Sequence, residues 1–198
     1  MRASGYERNA DDWYVEPAWA VDALLAVEEK FGGTVIDPCC GGGNIPNRLK
    51  IAGCDALSSD IVDRNGAADL LGSFEIILPE IPHESVISNP PYNLAREFID
   101  CALKHTTDRV CALLRLAFLE GMKRREWFGT VPLARVWVSS RRMSMPPGGS
   151  DVPAKGGAIA YAWFVFEHGH RGPAQIGFLP DVGMGTINTE GDLGLSGE

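Results

Sequence analysis

The chain of 198 residues lacks the marks of several protein classes. No apolar run approaches the roughly 18 residues of a membrane-spanning helix. The N-terminal stretch MRASGYERNADDWY has no apolar signal core, which predicts no secretory signal and a cytoplasmic location in a bacterial or phage-infected cell. Five cysteines (Cys39, Cys40, Cys54, Cys101, Cys111) form no C-x-x-C pair and no Cys/His metal pattern, so they read as reduced, mostly buried thiols. His168 and His170 flank Gly169 with no third ligand, which fits a surface turn and no metal. Internal repeats are absent too.

Apolar residues make up 45% and charged residues 22%, enough for one packed domain. The net charge of −8 is unevenly spread. Residues 1–103 carry 7 basic and 17 acidic residues, residues 104–171 carry 11 and 5, and residues 172–198 carry 4 acidic and no basic ones. A basic middle segment in an acidic chain can form a local polyanion-binding face, or simply a solvated surface.

Short apolar runs alternate with amphipathic stretches. Residues 17–31 read as a helix opened by Pro17. TVID (34–37) reads as a strand, 44–53 as a helix closed by Gly53, and DALSSD (55–60) as a second strand. Strands follow at 84–89 and 109–116, with a helix at 94–105 between them and a broken helix at 118–128. The clearest β runs, 134–140 and 158–167, flank a Pro/Gly-rich loop at 141–157. This alternation predicts one α/β domain over residues 1–179: a doubly wound, mostly parallel, seven-stranded sheet with an antiparallel edge hairpin. Residues 180–198 read as a loose tail.

Two stretches carry chemistry. DPCCGGG (37–43) is a glycine turn between a strand and a helix, where ligands approach the backbone beyond the carboxyl ends of strands. Asp60, ending the second strand, can accept hydrogen bonds from both hydroxyls of an adenosine ribose. Gly41 and Gly43 begin a G-x-G-x-x-G pattern, but Pro46 stands where its third glycine belongs. The pyrophosphate signature is therefore missing. S-adenosylmethionine, which has no phosphate, fits better than a dinucleotide, and a ligand-free glycine turn remains open.

The second stretch is NPPY (89–92). An exocyclic aromatic amine is a poor nucleophile because its lone pair is delocalised. Two acceptors that take both N–H bonds aim that lone pair. Asn89 can supply a side-chain oxygen, and Pro90 a rigid backbone carbonyl held by the Pro90–Pro91 step. Tyr92 offers a ring on which a base can stack. Most of the rate would come from positioning, not from a general base.

With these motifs in this order, the chain resembles the S-adenosylmethionine-dependent amino-methyltransferases, and within them the Dam-like and phage-type DNA N6-adenine enzymes. NPPY matches their catalytic tetrapeptide, which implies Asn89, Pro90, Pro91 and Tyr92 as catalytic residues. DPCCGGG resembles their D-P-F-x-G-x-G cofactor loop, with Cys39 at the aromatic position. DWYVEP (12–17) resembles the motif closing over the methionine end of the cofactor, with Glu16 where Thr is common. AADLLG (67–72) resembles the next motif, whose acid, Asp69, would face adenine. The resemblance thus implies a cofactor set of Tyr14, Pro17, Asp37, Pro38, Cys39, Gly41, Gly43, Asp60, Ile61 and Asp69. YAWFVFE (161–167) resembles the hairpin strand lining the target pocket, which makes Trp163 a substrate candidate beside Arg141, Arg142 and Lys155.

The chain departs from most sequence-specific relatives in having no sizeable recognition domain. The expected activity is methyl transfer to adenine N6 in DNA. The same transfer to adenine in RNA, to cytosine N4 or to a protein glutamine is the alternative. A catalytically silent nucleoside- or DNA-binding protein and a nicotinamide oxidoreductase are the remaining classes.

Overall fold

The computed structural model describes residues 13–149 and 159–182. The chain runs through α1 (Ala18–Val27), β1 (Thr34–Asp37), α2 (Asn44–Ile51), β2 (Asp55–Asp60), β3 (Leu70–Leu71), α3 (Phe74–Glu80) and β4 (Ser85–Ser88). It continues through α4 (Ala95–His105), β5 (Arg109–Arg115), α5 (Met122–Phe128), β6 (Leu133–Val138), β7 (Tyr161–Glu167) and β8 (Gln175–Phe178). Short 3-10 turns at Tyr92–Leu94 and Leu116–Leu119 follow β4 and β5.

All eight strands join one sheet in the order β3-β2-β1-β4-β5-β7-β6-β8. β7 runs antiparallel to both neighbours, and every other pair is parallel. The sheet is therefore open and mostly parallel, as expected, in a Rossmann-like arrangement. From β1 the chain steps to β2 on one side and later returns to β4 on the other. That reversal is a topological switch point, and it brings the loops after β1 and β4 together at the carboxyl edge.

Helices cover both faces, so the central strands are buried on both sides. β7 shows this residue by residue. Ala162, Phe164 and Phe166 enter a core with Phe98 of α4 and Trp127 of α5. Tyr161, Trp163 and Val165 enter a second core with Leu24 of α1 and Leu49 of α2. Alternate residues thus supply two different cores, which is what period 2 demands of a strand buried on both sides. No helix among the described residues is long and apolar enough to cross a membrane.

Three features differ from the sequence reading. The sheet has eight strands, not seven. The β6–β7 hairpin is not the edge, because β7 lies between β5 and β6 and β8 flanks β6 outside it. β8 is short and largely exposed, with Ile176 and Phe178 two-thirds exposed, so it carries no burial pattern to read. α3, with Pro79 inside it, was also unread. At the other end, Leu179 donates its N–H to the Val138 carbonyl, and Val182 packs on the α1 side. Residues 183–198, most of the expected tail, lie outside the described residues.

Candidate active site

Asp37 ends β1 and is 1% exposed. Its Oδ1 accepts hydrogen bonds from Ser88 Oγ at 2.7 Å and from the Cys39 N–H at 3.2 Å. Its Oδ2 is buried with no partner. Burial raises its pKa well above the carboxylate range, and the nearby Glu16 and Asp60 charges push the same way. The chain then turns through Gly41, in the left-handed region at φ +53°. A Cβ at Gly41 would collide with the Trp13 indole. The Gly41 N–H donates to Asp60 Oδ2 at 2.8 Å, which ties the glycine turn to the end of β2. Asp60 Oδ1 accepts from the Val62 N–H and from Arg64 Nη1 at 2.5 Å. The Arg64 guanidinium lies over the Trp13 ring, 4.3 Å from its centroid.

Asn89 follows β4 directly. Its Nδ2 donates to the Tyr14 carbonyl at 2.9 Å and to Glu16 Oε2 at 3.0 Å. Both N–H bonds are thus committed, and both neighbours are acceptors, which fixes the sense of the amide. Its Oδ1 is buried and has no partner. The Pro91 carbonyl accepts from the Leu94 N–H, whereas no hydrogen bond reaches the Pro90 carbonyl among the described residues. The turn therefore leaves two acceptors, Asn89 Oδ1 and the Pro90 carbonyl, one residue apart.

Glu16, Asp60 and Asn89 border a cavity of about 260 Å³, whereas Pro90 and Tyr92 are not among its lining residues. Of the expected residues, Tyr14, Pro38, Cys39, Gly41, Asp60, Ile61, Asn89 and Pro91 line it. Asp37 and Gly43 act from behind, Gly43 as the left-handed residue before α2. Pro17 precedes α1 and accepts the Ala20 N–H. Burial pushes the Cys40 thiol up to about 12 and that of Cys39 well above its usual value, so neither is an ionised nucleophile.

Other expected residues lie elsewhere. Asp69 does not line the cavity; its carboxylate accepts from Ser58 Oγ at 2.7 Å and from the Ser58 N–H, and pairs with Lys50 at 3.5 Å. Trp163 requires a correction. It is fully buried in the α1-side core, with its indole N–H on the Ala20 carbonyl at 2.8 Å, so it cannot meet a substrate. Arg141 lies over the Trp19 ring and pairs with Asp181 at 3.7 Å. Arg142 is exposed, and Lys155 falls outside the described residues. The loop they share is anchored at its start, with Met143 and Met145 buried and Pro146 to Gly148 hydrogen-bonded to Trp13 and Val15.

The basic segment is not one patch. Arg109 and Arg135 are held by Glu28 at the opposite edge of the sheet, where Arg109 opens β5. Arg115 closes the same strand on the site side, with its guanidinium 5.0 Å over the Tyr92 ring and its buried Nε unpartnered. Tyr92 also stacks on Tyr14 at 5.8 Å and lies 6.1 Å from Tyr161, the cross-strand partner of Arg115.

Trp13, Glu16, Arg64 and Arg115 were missed as site residues. Glu16 was visible only as a departure from Thr. Arg115 sits inside an apolar strand run that gives it no motif.

No protein-family model matches the chain, and no curated protein sequence matches it. Solved structures do. A candidate RNA methyltransferase from Pyrococcus horikoshii superposes with a TM-score of 0.56 at 16% identity, over 81% of this chain and 90% of that one. Magnesium protoporphyrin IX methyltransferase from Synechocystis, solved with S-adenosylmethionine bound, gives 0.53 at 15% identity, over 76% and 78%. The modification subunit of a candidate type I restriction enzyme from Vibrio vulnificus gives 0.52 at 12% identity; 84% of this chain is covered, which spans 46% of that subunit. The fold is thus the Rossmann-like fold of methyltransferase structures.

Proposed function

We propose that the chain is an S-adenosylmethionine-dependent methyltransferase acting on the exocyclic N6 amine of adenine in DNA. The observation that carries this reading is the Asn89 amide. Both of its N–H bonds are committed, and its oxygen is left buried and unpartnered at the cavity wall. A buried acceptor without a donor costs about 1–3 kcal/mol unless a ligand completes it. A planar amine does so, giving one N–H to Asn89 Oδ1 and the other to the Pro90 carbonyl.

The cavity suits the cofactor on its own terms. S-adenosylmethionine supplies an electrophilic methyl group on a sulfonium sulfur. Glu16 and Asp60 line the cavity, and their carboxylates in the ionised form favour a cationic ligand. Asp60 at the end of β2 would accept ribose hydroxyls in competition with Arg64, which donates to its Oδ1. Ile61, Phe74 and Leu94 form an apolar wall for a purine.

Support for DNA is the tetrapeptide resemblance together with the Tyr92–Arg115 pair. Arg115 lies over the Tyr92 ring, on which Tyr14 also stacks, so a flipped base would displace one of them to stack there and would meet the guanidinium at its edge. The basic segment adds less, since Arg109 and Arg135 face away.

The test is transfer of labelled methyl from S-adenosylmethionine to pools of DNA, RNA and protein, followed by nucleoside analysis. The expected product is N6-methyladenine in DNA. Label in RNA, in cytosine or in a protein glutamine would replace the substrate and keep the chemistry, and no transfer to any pool would overturn both.

A further inference from the structure

We infer that Glu16 is a positioning residue for Asn89: its carboxylate holds the amide with the oxygen turned to the substrate amine and sets a negative charge directly behind it. The inference rests on the methyl-transfer reading above and deepens it.

Glu16 ends the short segment paired with Pro146–Gly148 and is 7% exposed. Its Oε2 lies 3.0 Å from Asn89 Nδ2. An ionised carboxylate has no hydrogen to donate. Turning the Asn89 amide over would set its oxygen against both Glu16 and the Tyr14 carbonyl. A protonated Glu16 could donate to that oxygen, so the reversed amide would lose part of its penalty. The Thr common at this position in the resembling family could offer a hydrogen bond without the charge.

The charge matters because of where charge develops. As the amine lone pair forms the N–C bond, the C–S bonding pair goes to sulfur. Positive charge passes to nitrogen, which then releases a proton to solvent. A carboxylate one hydrogen bond behind the amide favours charge at that nitrogen. The chain of bonds from amine to Asn89 to Glu16 also polarises cooperatively.

The titratable groups facing Glu16 are Asp37 at the end of β1 and Tyr92 in the turn after β4. No Lys or Arg pairs with its carboxylate among the described residues. Burial, partly offset by the Asn89 hydrogen bond, pushes Glu16 up to about 7.

The first readout needs no turnover. In nitrogen-15-labelled protein, the Asn89 side-chain amide is identified by its loss in Asn89→Ala. Its signal is expected to step near pH 7 in the wild type and in Asp37→Asn, and to stay flat in Glu16→Gln. The second is the pH profile of labelled methyl transfer. Wild-type kcat is expected to rise through the same midpoint. Glu16→Gln is expected to lose about tenfold in kcat, to show no step, and to keep its cofactor KM. An amide that does not titrate in an active protein, or a Glu16→Gln variant with wild-type kcat and profile, overturns this inference alone. An amide that titrates in a protein transferring methyl to no pool overturns the functional reading instead.

Discussion

Trp13 and Gly148 lie face to face, with the indole filling the space where any Cβ at position 148 would stand. The Gly148 N–H donates to the Trp13 carbonyl at 3.0 Å, and the Val15 N–H donates to the Pro146 carbonyl at 2.9 Å. The same indole closes on the Gly41 backbone and carries Arg64 on its ring. One aromatic side chain therefore joins the segment after β6 to the glycine turn after β1. Gly148→Ala must push the ring out of this seat. The expected result is a loss of about 1–3 kcal/mol in denaturant unfolding, together with weaker cofactor binding by calorimetry. A variant with wild-type stability and affinity would show that the indole is not seated there.

The two motifs that define the site were legible because each combines backbone permission with polar chemistry. DPCCGGG needs glycine at left-handed Gly41 and Gly43, and NPPY places a carboxamide before a fixed turn. What stayed hidden depends on packing between distant segments. Nothing near Trp163 distinguishes a strand residue buried under α1 from one lining a pocket, since period 2 alone does not say which face is wet. Asp69 was expected at the adenine because AADLLG resembles the family's motif, but Ser58, eleven residues earlier, takes its carboxylate. Arg64 and Trp13 are far apart in the chain and meet only over Asp60.

Arg64 competes for the carboxylate that a ribose would need. Asp60 already accepts from Gly41, Val62 and Arg64. Arg64→Ala leaves the first two bonds and frees acceptor capacity on Oδ1. The expected outcome is cofactor binding about threefold to tenfold tighter by calorimetry, a gain of roughly 1 kcal/mol. A marked loss of affinity would mean that the guanidinium touches the ligand itself.

Asn89→Ala removes the acceptor at the target amine and leaves Gly41, Asp60 and the apolar wall in place. Methyl transfer is expected to fall by about a hundredfold to a thousandfold, comparable to removing an oxyanion-hole donor. Cofactor affinity should stay within about threefold of wild type. Single-turnover transfer and calorimetry separate the two effects, and retained transfer would remove Asn89 from the reaction.

Glu28 tests the scaffold apart from the site. Its side chain is 1% exposed. Its Oε1 accepts from Arg135 Nε and Trp137 Nε1, both at 2.7 Å. Its Oε2 accepts from Arg109 Nη1 at 2.9 Å and Arg135 Nη2 at 2.8 Å. Burial opposes the charge, but the hydrogen bonds from Arg135, Trp137 and Arg109 outweigh it and hold the carboxyl below its ordinary range. A depressed acid contributes stability that is full above its unfolded pKa and is lost as pH falls through the folded one. Glu28→Ala leaves two guanidinium groups without their shared partner, so it should cost about 3–5 kcal/mol near neutral pH. For a chain of this size that lowers Tm by about 10 °C, with a smaller loss toward acid pH. Arg109 and Arg115 sit at opposite ends of β5, roughly 20 Å apart. Methyl transfer per folded molecule, measured well below the lowered Tm, is therefore expected to be unchanged. A variant that keeps its Tm but loses activity would place this network in the reaction instead of the frame.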